Sequence, residues 1–109
     1  NKGLKFSFSS DKVQKDPLEE EVQIKVRYDW ALDNNHSYRA GDTIEFSVDE
    51  DLTFKGEGFD LISDETNYGR IDFNQEEKKV TITFSENVEP DKKQNIKGYF
   101  SIYYSLTKV

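Results

Sequence analysis

Hydrophobic and polar residues alternate with a period of two in several separate stretches, the pattern of strands with one buried face and one wet face. Leu4, Phe6 and Phe8 alternate with Lys5, Ser7 and Ser9. The cleanest run is Val22, Ile24, Val26, Tyr28 and Trp30, interleaved with Gln23, Lys25, Arg27 and Asp29. Ile44, Phe46 and Val48 repeat the pattern between Thr43, Glu45 and Ser47, as do Val80, Ile82 and Phe84 between Thr81, Thr83 and Ser85. Shorter apolar groups stand at Phe59, Leu61 and Ile62 and at Ile71 and Phe73. From Tyr99 to Val109 both faces are apolar or aromatic, with Phe100, Ile102, Tyr104 and Leu106 on one side and Tyr99 and Tyr103 on the other. Such a strand is covered on both sides or exposes rings to a partner.

The segments between these runs carry turn and loop chemistry. Asp11 to Glu21 holds five acids and Pro17 without apolar periodicity and reads as a solvated loop. Asp33, Asn34 and Asn35 form a turn, Gly56 and Gly58 punctuate a loop, and the polar stretch Asn74 to Lys79 makes a hairpin with the strand that follows. Glu86 to Lys97, which includes Pro90, is expected to cross from one sheet to another. No helical period occurs. About seven short strands separated by turns predict an all-β, antiparallel immunoglobulin-like β-sandwich, a single domain over residues 1–109. Trp30, Ile44, Phe46, Ile82 and Phe84 are its expected core.

Composition narrows the function. The net charge of −7 repels phosphate, so neither nucleic acid nor an anionic membrane surface is an expected partner. No apolar run approaches the roughly 18 residues of a membrane span, and Asn1 is not an initiator, so the chain reads as a mature segment or an excised domain. With no Cys and a single His, disulfides, thiolate metal sites and cysteine nucleophiles are absent. Leu, Ile, Val and Phe still supply 28 of 109 residues, enough for a core despite the high charge.

Candidate chemistry is sparse. Asp49, Glu50 and Asp51 lack the spaced Asp/Asn and Gly pattern of a calcium loop and read as a solvated strand end. Gly56, Glu57 and Gly58 do not form a phosphate cradle. His36 beside Asn34, Asn35 and Ser37 reads as a surface turn residue, because neighbours within one turn cannot build a triad. Trp30 shares the face of Val22, Ile24 and Val26 and belongs to the core rather than to a sugar-stacking platform. Lys5 is a candidate for a self-formed amide with Asn or Asp, yet its alternation turns it away from Phe6 and Phe8, and the last strand offers no Asn or Asp to receive it. No metal, cofactor or catalytic residue is expected, and the protein is read as a non-enzyme.

Four short motifs follow in order: Val26, Arg27, Tyr28, Asp29 and Trp30; Ala40, Gly41, Asp42 and Thr43; Thr81 to Glu89; and Ile96, Lys97, Gly98, Tyr99 and Phe100. Over about residues 22 to 109 this order resembles the N-terminal immunoglobulin-like subdomains of Gram-positive cell-wall adhesins of the collagen- and fibrinogen-binding type. Gly41, Asp42 and Thr43 look like the family's GDT turn. Thr81 to Glu89 resembles its latching-cleft strand, commonly T-Y-T-F-T-D-Y-V-D, with Ile82 and Asn87 in place of the two aromatics and Glu89 keeping the acid. The resemblance implies a surface adhesin subdomain that contributes one wall of a cleft for a host extracellular matrix protein, together with a neighbouring domain of the same chain. It implies an extracellular location, anchored to the cell wall through other parts of the chain, with no direct membrane contact. Thr81, Thr83, Ser85 and Asn87 are then the residues beside which a partner strand docks. A carbohydrate-binding module and a spacer domain without a ligand are the alternatives.

Overall fold

The computed structural model describes residues 3–13 and 21–107. Among these residues eight strands occur in chain order: β1 (Leu4–Val13), β2 (Glu21–Leu32), β3 (Thr43–Ser47), β4 (Leu52–Phe54), β5 (Phe59–Ser63), β6 (Thr66–Asn74), β7 (Lys79–Phe84) and β8 (Ile96–Thr107). They form two four-stranded antiparallel sheets, in the orders β1-β2-β8-β4 and β3-β7-β6-β5. This is the expected immunoglobulin-like sandwich. The polar segment after β7 does carry the chain from one sheet to the other, through a single 3-10 turn at Glu86–Val88.

The inward residues of the alternating strands meet in one core. Trp30, Leu32, Phe100, Ile102 and Tyr104 from one sheet pack against Leu61, Ile71, Val80, Ile82 and Phe84 from the other, all buried. Aromatic rings fill much of it: Tyr28 stacks on Phe100 at 5.0 Å between centroids, and Phe54 lies parallel to Phe73 at 4.5 Å. Trp30, Ile82 and Phe84 take the buried positions expected of them, whereas Ile44 and Phe46 are only half-buried. The reason is that β3 is an edge strand, with neighbours on one side only.

Several local expectations need correction. Asp11 to Val13 continue β1 instead of opening the loop, because their backbone pairs with Lys25, Ile24 and Gln23 of β2; residues 14–20 of that expected loop lie outside the described part. β4 escaped notice because three residues behind an acidic turn show no readable period. β5 and β6 form a tight hairpin through Asp64 and Glu65, both at positive φ (51° and 63°), a turn with no glycine to announce it. Ile62, next to the inward Leu61, faces outward by simple alternation and is 56% exposed, and the bulge at this point leaves Tyr68 of β6 without a partner residue on β5.

Candidate functional site

β7 cannot accept a partner strand. It lies inside its sheet, with Thr81 paired to Glu45 on one side and Asp72 on the other, and Thr83 paired to Thr43 and Arg70. Both rows of backbone groups are therefore occupied, and strand addition at Thr81 and Thr83 is corrected on that ground. Ser85 and Asn87 lie beyond the strand, where they hold the fold together. The Ser85 hydroxyl donates to the Asn67 carbonyl at 2.9 Å and caps the 3-10 turn by accepting from the Asn87 amide at 3.2 Å. Asn87 Nδ2 donates to the same Asn67 carbonyl at 2.9 Å. Glu89 accepts the Ala40 amide at 3.1 Å, which ties this segment to the turn before β3. In that turn Gly41 takes φ 86°, and the Asp42 carboxylate caps it by accepting the Arg39 amide at 2.8 Å.

His36 is buried, at 4% exposure, and not a surface residue as its turn setting suggested. Its Nε2 lies 2.6 Å from the Val88 carbonyl oxygen, which can only accept, so Nε2 carries the proton and donates. Nδ1 accepts the Tyr38 amide at 3.0 Å. Both ring nitrogens are thus used to lock the segment after β2 onto the turn after β7. No local sequence signal announces this, since Val88 stands 52 residues away.

The remaining candidates are solvated. Asp49 and Asp51 are exposed in a turn, the Asp49 carboxylate accepting the Asp51 amide at 2.8 Å. Among the described residues no group of three or more His, Asp or Glu converges on a point where a metal could sit. Lys5 projects into solvent with its amine 3.7 Å from the Asp33 carboxylate, an exposed ion pair.

The distinctive surface lies on the outer face of the first sheet. Tyr99 and Tyr103 of β8 stand 58% and 44% exposed. The Arg27 guanidinium lies over the Tyr99 ring at 4.0 Å from its centroid, and the Lys25 amine lies over Tyr103 at 5.9 Å. Arg27 is held from its other side by Asp29, whose carboxylate accepts from Nε and an Nη at 3.2 and 3.1 Å. Register explains the arrangement: Lys25 stands opposite Tyr103, and Asp29 opposite Tyr99 with Ser7 on its other flank. Lys5, Ser7, Arg27, Asp29, Lys97 and Tyr99 border a shallow groove of about 600 Å³ on this face. On this face Lys5, Lys25, Arg27 and Lys97 outnumber Asp29 and the Asp33 that pairs with Lys5, so a chain of net charge −7 carries a locally cationic face. The indole nitrogen of Trp30, which also borders the groove beside Gly98, has no hydrogen-bond partner among the described residues. The sequence hinted at this face only by setting Tyr99 and Tyr103 opposite the core side of β8; the cations come from a strand some 70 residues earlier.

A family model described as bacterial Ig domain matches residues 17–109 of the chain. No curated protein sequence matches it.

Proposed function

Because the chain belongs to the bacterial Ig domain family, we propose that it is a surface-exposed binding subdomain of a longer adhesin. In this reading it contributes one wall of a cleft, and a neighbouring domain of the same chain contributes the other. Its partner is a host extracellular matrix protein of the collagen or fibrinogen class, and its place is outside the cell, anchored to the wall through other parts of the chain. The observation that carries the reading is the exposed row of Tyr99, Arg27, Tyr103 and Lys25. Rings and guanidinium groups of this kind supply large contact area at low entropic cost and concentrate binding energy at interfaces. The ordered motifs that resemble those of adhesin subdomains favour the same reading. With the strand β7 already paired on both sides, the contact to the partner is made by side chains on this face.

A sugar-binding reading draws on the same two exposed tyrosines. It is the weaker one, because the Arg27 guanidinium already occupies a face of Tyr99 and a pyranose would have to displace it. The test uses the full-length parent protein on immobilised collagen and fibrinogen. Replacing Tyr99 and Arg27 by Ala is expected to reduce retention by about tenfold or more, a hot-spot-sized loss, with the melting temperature of the domain little changed. Retention on both proteins that ignores the two substitutions would refute the reading, and a tyrosine fluorescence change on titration with oligosaccharides would favour the alternative.

A further inference from the structure

The four sheet edges of the sandwich are unequal. β4 is three residues long, and the Gln75 side chain takes both the amide and the carbonyl of Phe54, while the Lys78 amine donates to the Leu52 carbonyl at 2.7 Å. β5 and β3 are each only five residues long, β5 paired to a bulged stretch of β6 and β3 with Glu45 at its centre. These are the usual protections of an edge. β1 is ten residues long, pairs among the described residues with β2 alone, and from Leu4 to Ser10 carries one charge, Lys5, and no proline.

The direction of its backbone groups follows from one bond. The Asp33 amide donates to the Gly3 carbonyl, so residues 3 and 33 form a hydrogen-bonded pair, and the antiparallel ladder repeats this at Lys5 with Ala31, Ser7 with Asp29 and Ser9 with Arg27. The amides and carbonyls of Phe6, Phe8 and Ser10 therefore point away from β2, along the open edge. The side chains of Phe6 and Phe8 face a cleft of about 700 Å³ between β1 and β3, whose walls include Tyr28, Phe46, Val48 and Leu52. Phe6 contacts Phe46 at 5.4 Å, but Phe8 is 70% exposed, its ring leaning on Tyr28 at 6.1 Å. An unpaired strand edge and an apolar trough are thus set side by side, in phase with each other.

We propose that this edge is a docking site for an extended segment of a partner protein, which adds to the sheet beside β1 and seats small apolar side chains at alternate positions in the cleft. Residues of the incoming strand opposite Phe6 and Phe8 direct their side chains to the same face as those two rings, so backbone pairing and filling of the cleft occur together. Charge selects the occupant. Asp49 and Asp51 stand exposed at the rim, at the end of the cleft towards Ser10, so the segment carries Lys or Arg at that end. A second copy of the chain, itself at −7, is disfavoured by repulsion.

The test uses NMR titration of the chain with a panel of eight-residue synthetic peptides, alternating Val and Thr, with Lys at either end and Glu-ended counterparts. The expected result is saturable binding of a Lys-ended peptide, with slowed exchange of the Phe6, Phe8 and Ser10 amides. Ser10→Pro removes an amide hydrogen that faces away from β2, a position where an edge strand tolerates proline. Phe8→Asp provides a second variant at an exposed site. Each is expected to weaken binding by about tenfold or more, and the Asp49→Asn, Asp51→Asn double variant to abolish the preference for Lys over Glu. The proposal is overturned if no panel member binds, if binding by a folded Ser10→Pro or Phe8→Asp variant is unchanged, or if the Phe6, Phe8 and Ser10 amides are instead protected by dimerisation.

Discussion

The hydroxyls of Tyr28 and Tyr104 meet at 2.7 Å in the core, joining adjacent strands of one sheet. Tyr104 is 0% exposed and Tyr28 5%, so water offers neither hydroxyl a ready substitute partner. Replacing Tyr104 by Phe keeps the ring and its contact with Phe54 while leaving the Tyr28 hydroxyl buried and unpaired, a cost of about 2 kcal/mol within the usual range for an orphaned polar group. Tyr28→Phe does the same to Tyr104. Changing both removes the orphan as well as the bond, and the expected loss is about 1 kcal/mol or less, although independent effects would sum to about 4. For a chain of this length 1 kcal/mol moves the melting temperature by about 4 °C, so each single variant should melt about 8 °C lower and the double variant about 4 °C lower at most. Urea denaturation of the four proteins closes the cycle. A double variant that loses the sum of the two single losses would show that the pair does not act as a unit and would refute the reasoning.

Three further outcomes are expected. Burial is the main cause raising the Tyr104 phenol far above its ordinary pKa, with the hydrogen bond it shares with Tyr28 adding to it, and burial also raises Tyr28. The unfolded chain therefore releases these protons first, near pH 10, so stability contributed by the pair is complete below about pH 10 and is lost as pH rises above it; denaturation curves between pH 8 and 11.5 should show a steeper alkaline loss in the natural protein than in the double Phe variant. His36→Leu removes the donor to the Val88 carbonyl and the side-chain acceptor of the Tyr38 amide and should cost about 2 to 4 kcal/mol in urea unfolding, which a surface turn histidine would not. In Gly69→Ala the added methyl would lie 2.2 Å from the Thr83 carbonyl oxygen inside the β6–β7 ladder, so a loss of about 2 kcal/mol or more is expected by thermal melting, against about 1 kcal/mol for Gly41→Ala, where nothing stands within 4 Å and only the positive φ is strained.

The period and facing of the strands are legible in the sequence, because alternation is a local property: each of Trp30, Ile82 and Phe84 reads its own side of the sheet from its immediate neighbours. The turn at Gly41 and Asp42 was legible as well, as far as its local cap goes: the Asp42 carboxylate accepts an amide only three residues back. The short strand β4 and the glycine-free turn at Asp64 and Glu65 lay below that resolution, since pairing with β8 and with β6 supplies what local propensity lacks. Which strands are edges, and with it the fate of the candidate site, follows from how the distant segments pack together. The motif from Thr81 to Glu89 reads the same whether its strand is bare or flanked, and the flanks, β3 and β6, are separate segments of the chain. His36 was misread for the same reason: its two partners are a neighbouring amide and a carbonyl 52 residues on, and burial is a property of what folds over a residue rather than of the residues beside it. The cationic aromatic face likewise exists only through the register of β2 on β8, which brings Arg27 and Lys25 over rings that the chain reaches some 70 residues later.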